Sequence, residues 1–192
     1  MSTMPVHEFI LGGQKSGKSR RAEAAAGRWL AAVPGRRAVL LATAQAWDGE
    51  MARRIERHRQ ERAERVPGLE TVEEPLRLPE LLGALSQPDT LVVVDCLTLW
   101  LTNLLMPPEL DPQRAPLPDW RTQSLLLMAA LERAPGPVVL VGNEIGLGVI
   151  PLGEETRAFV DALGQLNQHV AAACGRVTLM VAGLPLTVKE NA

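Results

Sequence analysis

Residues 12–19, Gly-Gly-Gln-Lys-Ser-Gly-Lys-Ser, have the types and the spacing that suit the binding of a triphosphate. They fit the pattern G-x-x-x-x-G-K-[ST], the P-loop, whose backbone N–H groups surround phosphate oxygens. Lys18 can reach the β- and γ-phosphates, and the Ser19 hydroxyl can ligate Mg²⁺. The predicted phosphate-binding residues are Gly12, Gly13, Gln14, Lys15, Ser16, Gly17, Lys18 and Ser19.

The elements around this loop favour a real nucleotide site over a chance match. An apolar run at residues 8–11 precedes the loop and predicts a strand, and residues 20–32 predict a helix directly after it. A strand, a glycine-rich turn and a helix N-terminus together direct N–H groups at phosphate. The sequence therefore predicts that the chain binds a nucleoside triphosphate, with Mg²⁺.

Asp95 is the second candidate metal ligand. It follows the apolar run at residues 91–94, so it comes at the end of a predicted buried strand. A P-loop enzyme needs an acidic residue in that place to hold the Mg²⁺ that Ser19 ligates. Ser19 and Asp95 are therefore the predicted metal residues.

Residues 50–65 form a highly charged stretch with two competing interpretations. It contains six arginines, four glutamates and His58, which is typical of a solvent-exposed helix with i,i+4 ion pairs. Arg54, His58 and Arg62, however, recur at helical spacing and share one face. A neutral imidazole between two guanidinium groups could attack a phosphorus atom and form a covalent intermediate. The pattern alone favours the first interpretation.

The rest of the chain predicts an α/β fold, P-loop NTPase-like, with three layers and a mainly parallel central sheet. Strand-like runs that are continuously rich in Val, Ile and Leu alternate with helical stretches, as expected for strands buried on both faces. The predicted strands are residues 8–11, 38–42, 91–94, 138–141 and 177–181. The predicted helices are residues 20–32, 50–65, 76–85, 120–132 and 154–173. A proline-rich surface loop is predicted at 107–119, and a glycine-rich loop at 143–153 is a further site candidate because it follows a strand.

Length and composition set the broad class. The 192 residues suit one catalytic domain, 1–192, and the net charge of −2 gives no global attraction to nucleic acid or membrane. The two cysteines, Cys96 and Cys174, provide no disulfide framework and are expected to be reduced core residues. With no signal peptide and no apolar run of about 20 residues, we expect a cytoplasmic enzyme without membrane insertion.

Several segments resemble, in order, the bifunctional adenosylcobinamide kinase / adenosylcobinamide-phosphate guanylyltransferase family of cobalamin assembly. The resemblance covers nearly the whole chain, and its most specific strings are Asp-Cys-Leu-Thr-Leu-Trp at 95–100 and Asn-Glu-Ile-Gly-Leu-Gly at 143–148. The other matching segments are the P-loop, Ala-Thr-Ala-Gln at 42–45, Asp-Gly-Glu-Met at 48–51, Arg-Ile at 54–55, His-Arg at 58–59, Thr-Val-Glu-Glu-Pro at 71–75 and Gln-Leu-Asn-Gln at 165–168. At residues 14–15 the chain has Gln-Lys where the family often has a small residue and arginine.

The resemblance implies two reactions and a set of residues. A nucleoside triphosphate, ATP or GTP, phosphorylates the aminopropanol hydroxyl of adenosylcobinamide, and GTP then transfers GMP to that phosphate through a GMP–histidine intermediate. His58 matches the family's histidine, which makes Arg54 and Arg62 candidate phosphate clamps. The resemblance also places Thr43, Gln45, Glu73 and Asp95 at the nucleotide, and implies a homo-oligomer, a trimer, as the assembly.

Other functions stay open at this point. The chain could retain only one of the two activities, or be a P-loop small-molecule kinase in which 50–65 closes over phosphate. A nucleotide-dependent binding module without turnover is a further alternative, and it leaves His58 unexplained. The base of the kinase step is not fixed by the sequence, and Glu144 is a candidate because its loop follows a strand.

Overall fold

The structure of the protein is a computed structural model, which describes residues 6–46, 49–106 and 118–191 apart from the side chain of Arg54. Within these residues, seven strands form one sheet in the order β3-β2-β4-β5-β1-β6-β7. The neighbours pair in parallel, except that β6 and β7 pair antiparallel. The strands are β1 (Glu8–Gly12), β2 (Arg37–Ala42), β3 (Leu69–Glu73), β4 (Thr90–Asp95), β5 (Val138–Val141), β6 (Arg176–Val181) and β7 (Leu184–Glu190).

Helices cover both faces of this sheet. They are α1 (Lys18–Ala32), α2 (Gly49–Arg65), α3 (Leu78–Leu85), α4 (Leu97–Leu105), α5 (Trp120–Arg133) and α6 (Glu154–Ala173). On one face, the α1 residues Ala22 and Ala26 are in one buried cluster with Ile10 and Leu40 of the sheet. The other face carries a larger cluster, which includes Trp100 of α4 and residues of α3, α5 and α6. The predicted three-layer α/β fold is confirmed.

The central strands are apolar on both faces, so they are stable only where helices cover the sheet on both sides. The β4 run Leu-Val-Val-Val at 91–94 and the whole of β5 are buried, which is the pattern of parallel strands covered by helices on both sides. The sheet register aligns Ala42 with Asp95, and Asp95 with Val141, so the carboxyl ends of β2, β4 and β5 lie at one edge. That edge also holds the P-loop, because β1 ends at Gly12.

All five predicted strands and all five predicted helices are confirmed, with ends that move by one or two residues. The helix α1 begins at Lys18 because Gly17, with a φ of 99°, adopts the left-handed conformation that caps it. Three further elements, β3, α4 and β7, lie in stretches for which the sequence predicts none. Of the predicted proline-rich loop, residues 107–117 lie outside the described residues, as do Trp47 and Asp48.

Across the described ranges, none of the helices combines the length with the apolar character that crossing a bilayer requires. Both cysteines are free, and burial raises the pKa of each thiol to about 12, which keeps both protonated at neutral pH. Cys174 belongs to the core as predicted. Cys96 is only partly in the core, because it also lines the pocket described next.

Candidate nucleotide-binding site

The P-loop connects β1 to α1 through a turn that depends on glycine at position 12. The φ angle of Gly12 is +153°, and a Cβ added there would lie 2.6 Å from both the Met180 carbonyl oxygen and Ser16 Oγ. The loop is closed by the Ser16 N–H, which donates to the Gly13 carbonyl at 3.3 Å, and by the Gly183 N–H, which donates to the Ser16 carbonyl at 3.1 Å. The neighbouring hairpin thus supports the loop that the sequence predicts to cradle phosphate.

Replacement of Gly12 by alanine is expected to destabilise the fold through this close approach. A Cβ at 2.6 Å from a backbone oxygen forces β1 and β6 apart, and we expect the free energy of unfolding to fall by about 2–4 kcal/mol. Gly13→Ala is the matched control, because a Cβ at Gly13 meets no atom within 4 Å. Urea unfolding of both variants measures the difference. Equal stability of the two variants would contradict the geometry.

Lys18 is buried and already directed along the loop. Its Nζ donates to the Gly13 carbonyl at 2.6 Å, and the residue is 8% exposed. Burial lowers the pKa of Lys18 because desolvation disfavours the ammonium, while electrostatic interactions with Cys96 and Asp95 act to raise it. A triphosphate would provide the anionic partner that this ammonium has only in part.

One pocket of about 430 Å³ opens beside the loop and brings most of the predicted residues together. Its walls come from the P-loop, the start of α1, the inner face of α2, and the carboxyl ends of β2, β3, β4 and β5. The predicted residues that line it are Gln14, Lys15, Ser16, Gly17, Lys18, Ser19, His58, Arg62, Glu73 and Asp95. The α2 helix therefore faces the P-loop, and His58 shares a cavity with Lys18.

Four predicted nucleotide residues do not line this pocket, and a fifth is not described. Gly12, Gly13, Thr43 and Gln45 lie outside the lining, although the two glycines shape the loop that forms one wall. The side chain of Arg54 lies outside the described residues. Glu144, the candidate base, also lies outside the lining. Its N–H donates to the Gly12 carbonyl at 3.2 Å, and its carboxylate accepts from the Gly146 N–H at 2.9 Å.

Ser19 and Asp95 supply a donor set that fits Mg²⁺. Both line the pocket, and both are only partly buried. A hydroxyl and a carboxylate are hard oxygen ligands, and Mg²⁺ in such sites takes its remaining ligands from water and phosphate. Among the described residues, no group of three or more His, Cys, Asp and Glu side chains converges on one point.

Thr43 has a structural position that the sequence did not reveal. It is fully buried, and its hydroxyl donates to the Cys96 carbonyl at 2.7 Å and accepts from the Cys96 N–H at 2.8 Å. The Thr43 carbonyl accepts from Asn103 Nδ2 at 2.7 Å. These bonds join the ends of β2 and β4 and fix the backbone next to Asp95.

Thr43→Val is therefore expected to weaken the protein, because the Cys96 N–H loses the Thr43 hydroxyl as its acceptor, while the Cys96 carbonyl keeps its bond from the Trp100 N–H. The valine has the same shape but no hydroxyl, so the free energy of unfolding should fall by about 1–3 kcal/mol. Thr102→Val is the control, because the Thr102 hydroxyl donates to the Thr98 carbonyl within one helix and so joins no separate elements. Chemical denaturation of the two variants tests this, and an unchanged midpoint for Thr43→Val would refute the bridging role.

Arg62 is held by partners on two other elements. Its Nη1 donates to Thr71 Oγ1 of β3 at 3.2 Å, and its Nε lies 3.5 Å from Oε1 of Glu23 on α1. This Nε is buried, and among the described residues no partner meets it with hydrogen-bond geometry. Glu23 is not among the residues predicted from the sequence. Its position one helical turn after Ser19, on the helix that follows the P-loop, could have indicated that it lies near the site.

The other two histidines have no place in the pocket. His7 is buried beside β1, where Nε2 lies 3.0 Å from the Leu131 carbonyl and Nδ1 accepts from the Val138 N–H. Burial lowers the pKa of His7, in keeping with a neutral ring that joins α5 to β5. His169 is exposed on α6. His7 thus has a structural position and His169 a surface position.

Comparison with known proteins gives one consistent result. A family model described as cobinamide kinase / cobinamide phosphate guanyltransferase matches residues 8–188. The bifunctional adenosylcobalamin biosynthesis protein CobP of Pseudomonas aeruginosa is 48% identical, over 96% of this chain and 98% of that protein. The bifunctional adenosylcobalamin biosynthesis proteins CobU of Escherichia coli and Salmonella typhimurium are 38% and 35% identical, each over 94% of this chain and 98% of its own length. The chain belongs to the cobinamide kinase / cobinamide phosphate guanyltransferase family.

Proposed function

We propose that this chain, as one catalytic domain, phosphorylates the aminopropanol hydroxyl of adenosylcobinamide and then transfers GMP from GTP to the new phosphate. The observation that carries the proposal is the shared pocket, in which the P-loop and the imidazole-bearing face of α2 meet. A kinase needs only the first of these. The second provides a nucleophile beside a bound triphosphate, which is what a covalent nucleotidyl transfer requires.

The P-loop is proposed to hold the triphosphate in both reactions. Lys18 exchanges its bond to the Gly13 carbonyl for phosphate oxygens, and the loop N–H groups stabilise the charge that develops there. Ser19 and Asp95 would hold Mg²⁺, which would neutralise charge on the phosphates. Arg62 lines the same pocket and is proposed to bind a phosphate oxygen of GTP during guanylyl transfer. Gln45, Glu73 and Arg54 are proposed to contact the nucleotide. Thr43 is proposed to act indirectly, because its hydroxyl fixes the Cys96 backbone next to Asp95.

His58 is proposed to be the nucleophile of guanylyl transfer. A neutral ring nitrogen attacks the α-phosphorus of GTP, a P–N bond forms, and the bond from that phosphorus to the β-bridging oxygen breaks. Pyrophosphate leaves toward Lys18. A phosphate oxygen of adenosylcobinamide phosphate then attacks the same phosphorus, the P–N bond breaks, and His58 is neutral again. Adenosylcobinamide-GDP is the product.

The test is to incubate the protein with Mg²⁺ and GTP labelled at the α-phosphate, and to denature it without acid. Label that stays on the protein, is lost in acid and survives alkali would identify a phosphoramidate. Addition of adenosylcobinamide phosphate before denaturation should discharge that label. A protein that binds GTP and phosphorylates adenosylcobinamide but takes up no label would instead be a kinase without guanylyltransferase activity.

We further propose that the protein is a cytoplasmic homo-oligomer, a trimer as in the family, with no nucleic-acid partner. Apolar side chains exposed on the edge strand β7, namely Leu184, Leu186 and Val188, support a protein–protein contact because such residues are costly in water. Sedimentation equilibrium is the measurement, with a trimer expected at three times the 20.8 kDa chain mass. A species at the chain mass across micromolar concentrations would contradict it.

A further inference from the structure

Glu23 is a buried acid on the P-loop helix that none of the proposed chemistry uses. Its side chain is 5% exposed, and two arginines of α2 reach it. Arg62 Nε lies 3.5 Å from Oε1, and Arg65 Nη2 lies 3.1 Å from Oε2. Burial raises the pKa of Glu23, while the charges of Arg65 and Arg62 act to lower it. Removal of the carboxylate would leave Arg62, which is itself buried, without its main anionic neighbour.

The two arginines share a helical face with His58. They follow it at i+4 and i+7, which are positions on one side of an α-helix, and all three line the same pocket. Because Arg62 and Arg65 both contact Glu23 of α1, the two ion pairs fix the rotation of α2 about its axis and its distance from α1. The remaining α2 residues are mostly exposed, so few apolar contacts can do this instead.

The role of Glu23 rests on the proposed function, in which His58 is the nucleophile of guanylyl transfer. We propose that Glu23 is a positioning residue for His58: by binding Arg62 and Arg65 it fixes the face of α2 that presents the imidazole to the P-loop. Glu23 touches neither nucleotide nor corrinoid in this role. It acts through the two arginines, so the step it governs is adduct formation on His58, whereas γ-phosphoryl transfer at the P-loop does not depend on it.

The experiment compares the rate of His58 labelling by α-labelled GTP with the rate of adenosylcobinamide phosphorylation, in the full chain. Glu23→Gln removes the charge and keeps the shape. We expect it to slow adduct formation by roughly 10²-fold, the loss that small misplacements of a reacting group produce, and to change kinase turnover by no more than about threefold. Glu23→Asp should restore part of the labelling rate. Glu56→Gln is the control, because Glu56 is exposed on α2, where its carboxylate accepts from Gln60 Nε2 of the same helix.

Arg65→Gln is the second variant. The Arg65 side chain is partly exposed, so its replacement should destabilise the fold less than a change at the buried Glu23. It should slow labelling, by less than Glu23→Gln does. Labelling of Glu23→Gln at the wild-type rate would overturn the proposal. An equal loss of both activities together with a lower melting temperature would also overturn it, because that result would show that Glu23 only stabilises the fold. Absence of label on the wild type would instead remove the proposed function itself, and this inference with it.

Discussion

His58→Ala is expected to abolish guanylyl transfer and to leave the kinase step within a few-fold of wild type. The imidazole lines the pocket beside the P-loop, and in the proposed mechanism its nitrogen forms the P–N bond of the intermediate. We expect a loss of more than roughly 10³-fold, as for removal of other covalent nucleophiles. Alanine is the strongest helix former, so α2 itself is not weakened. Transfer of label from GTP to adenosylcobinamide phosphate measures the loss, and phosphorylation of adenosylcobinamide measures the kinase step.

His169→Ala is the matched control, because it makes the same change at an exposed position of α6 that is not part of the pocket lining. Both of its activities should equal those of wild type. Guanylyl transfer that survives in His58→Ala would exclude this residue as the nucleophile. A parallel loss of both activities would show that α2 serves the P-loop as a lid, as in the alternative of a small-molecule kinase.

The parts of the fold that could be predicted are those fixed by short-range patterns. The runs of β4 and β5 are apolar on both faces, and only a covered parallel strand tolerates that in water. The P-loop is a local motif whose backbone conformation depends on its own glycines. His58 became a candidate nucleophile through the family resemblance. Its charged neighbours on α2, taken alone, favour a solvent-exposed residue without a catalytic role.

The parts that could not be predicted depend on contacts between distant segments. The edge strand β3, Leu-Glu-Thr-Val-Glu, has only two apolar residues, which are not adjacent, and β7 is exposed along most of its length, so neither has a continuous apolar run. The α4 helix is apolar on nearly every side because it is buried in the core, which hides its helical period. Glu23 and Thr43 acquire their roles from partners 39 to 53 positions away, Arg62 and Cys96, and no spacing rule connects such pairs.

Lys18→Met is expected to remove both activities together, by roughly 10²–10³-fold or more each, since both reactions use the same triphosphate site. Methionine keeps the length of the side chain and removes its charge. Lys15→Met is the comparison in the same loop. Lys15 is exposed, so its ammonium is screened by solvent, and we expect it to lower either rate by no more than about tenfold. Steady-state rates of phosphorylation and of guanylyl transfer give both numbers.

The stability of Lys18→Met distinguishes a catalytic loss from a folding defect. Burial lowers the pKa of Lys18 below the ordinary lysine value, so the charged form costs stability in the nucleotide-free protein. Between the lowered pKa and the ordinary one, the unfolded chain binds more protons, and wild-type stability should rise with pH. Methionine removes the cost and this rise, while the Gly13 carbonyl still accepts from the Ser16 N–H. The variant should therefore unfold at a temperature no lower than that of wild type at neutral pH, although it is inactive. A clearly lower melting temperature would mean that the Lys18–Gly13 bond holds the loop together, and that the lost activity reports folding and not chemistry.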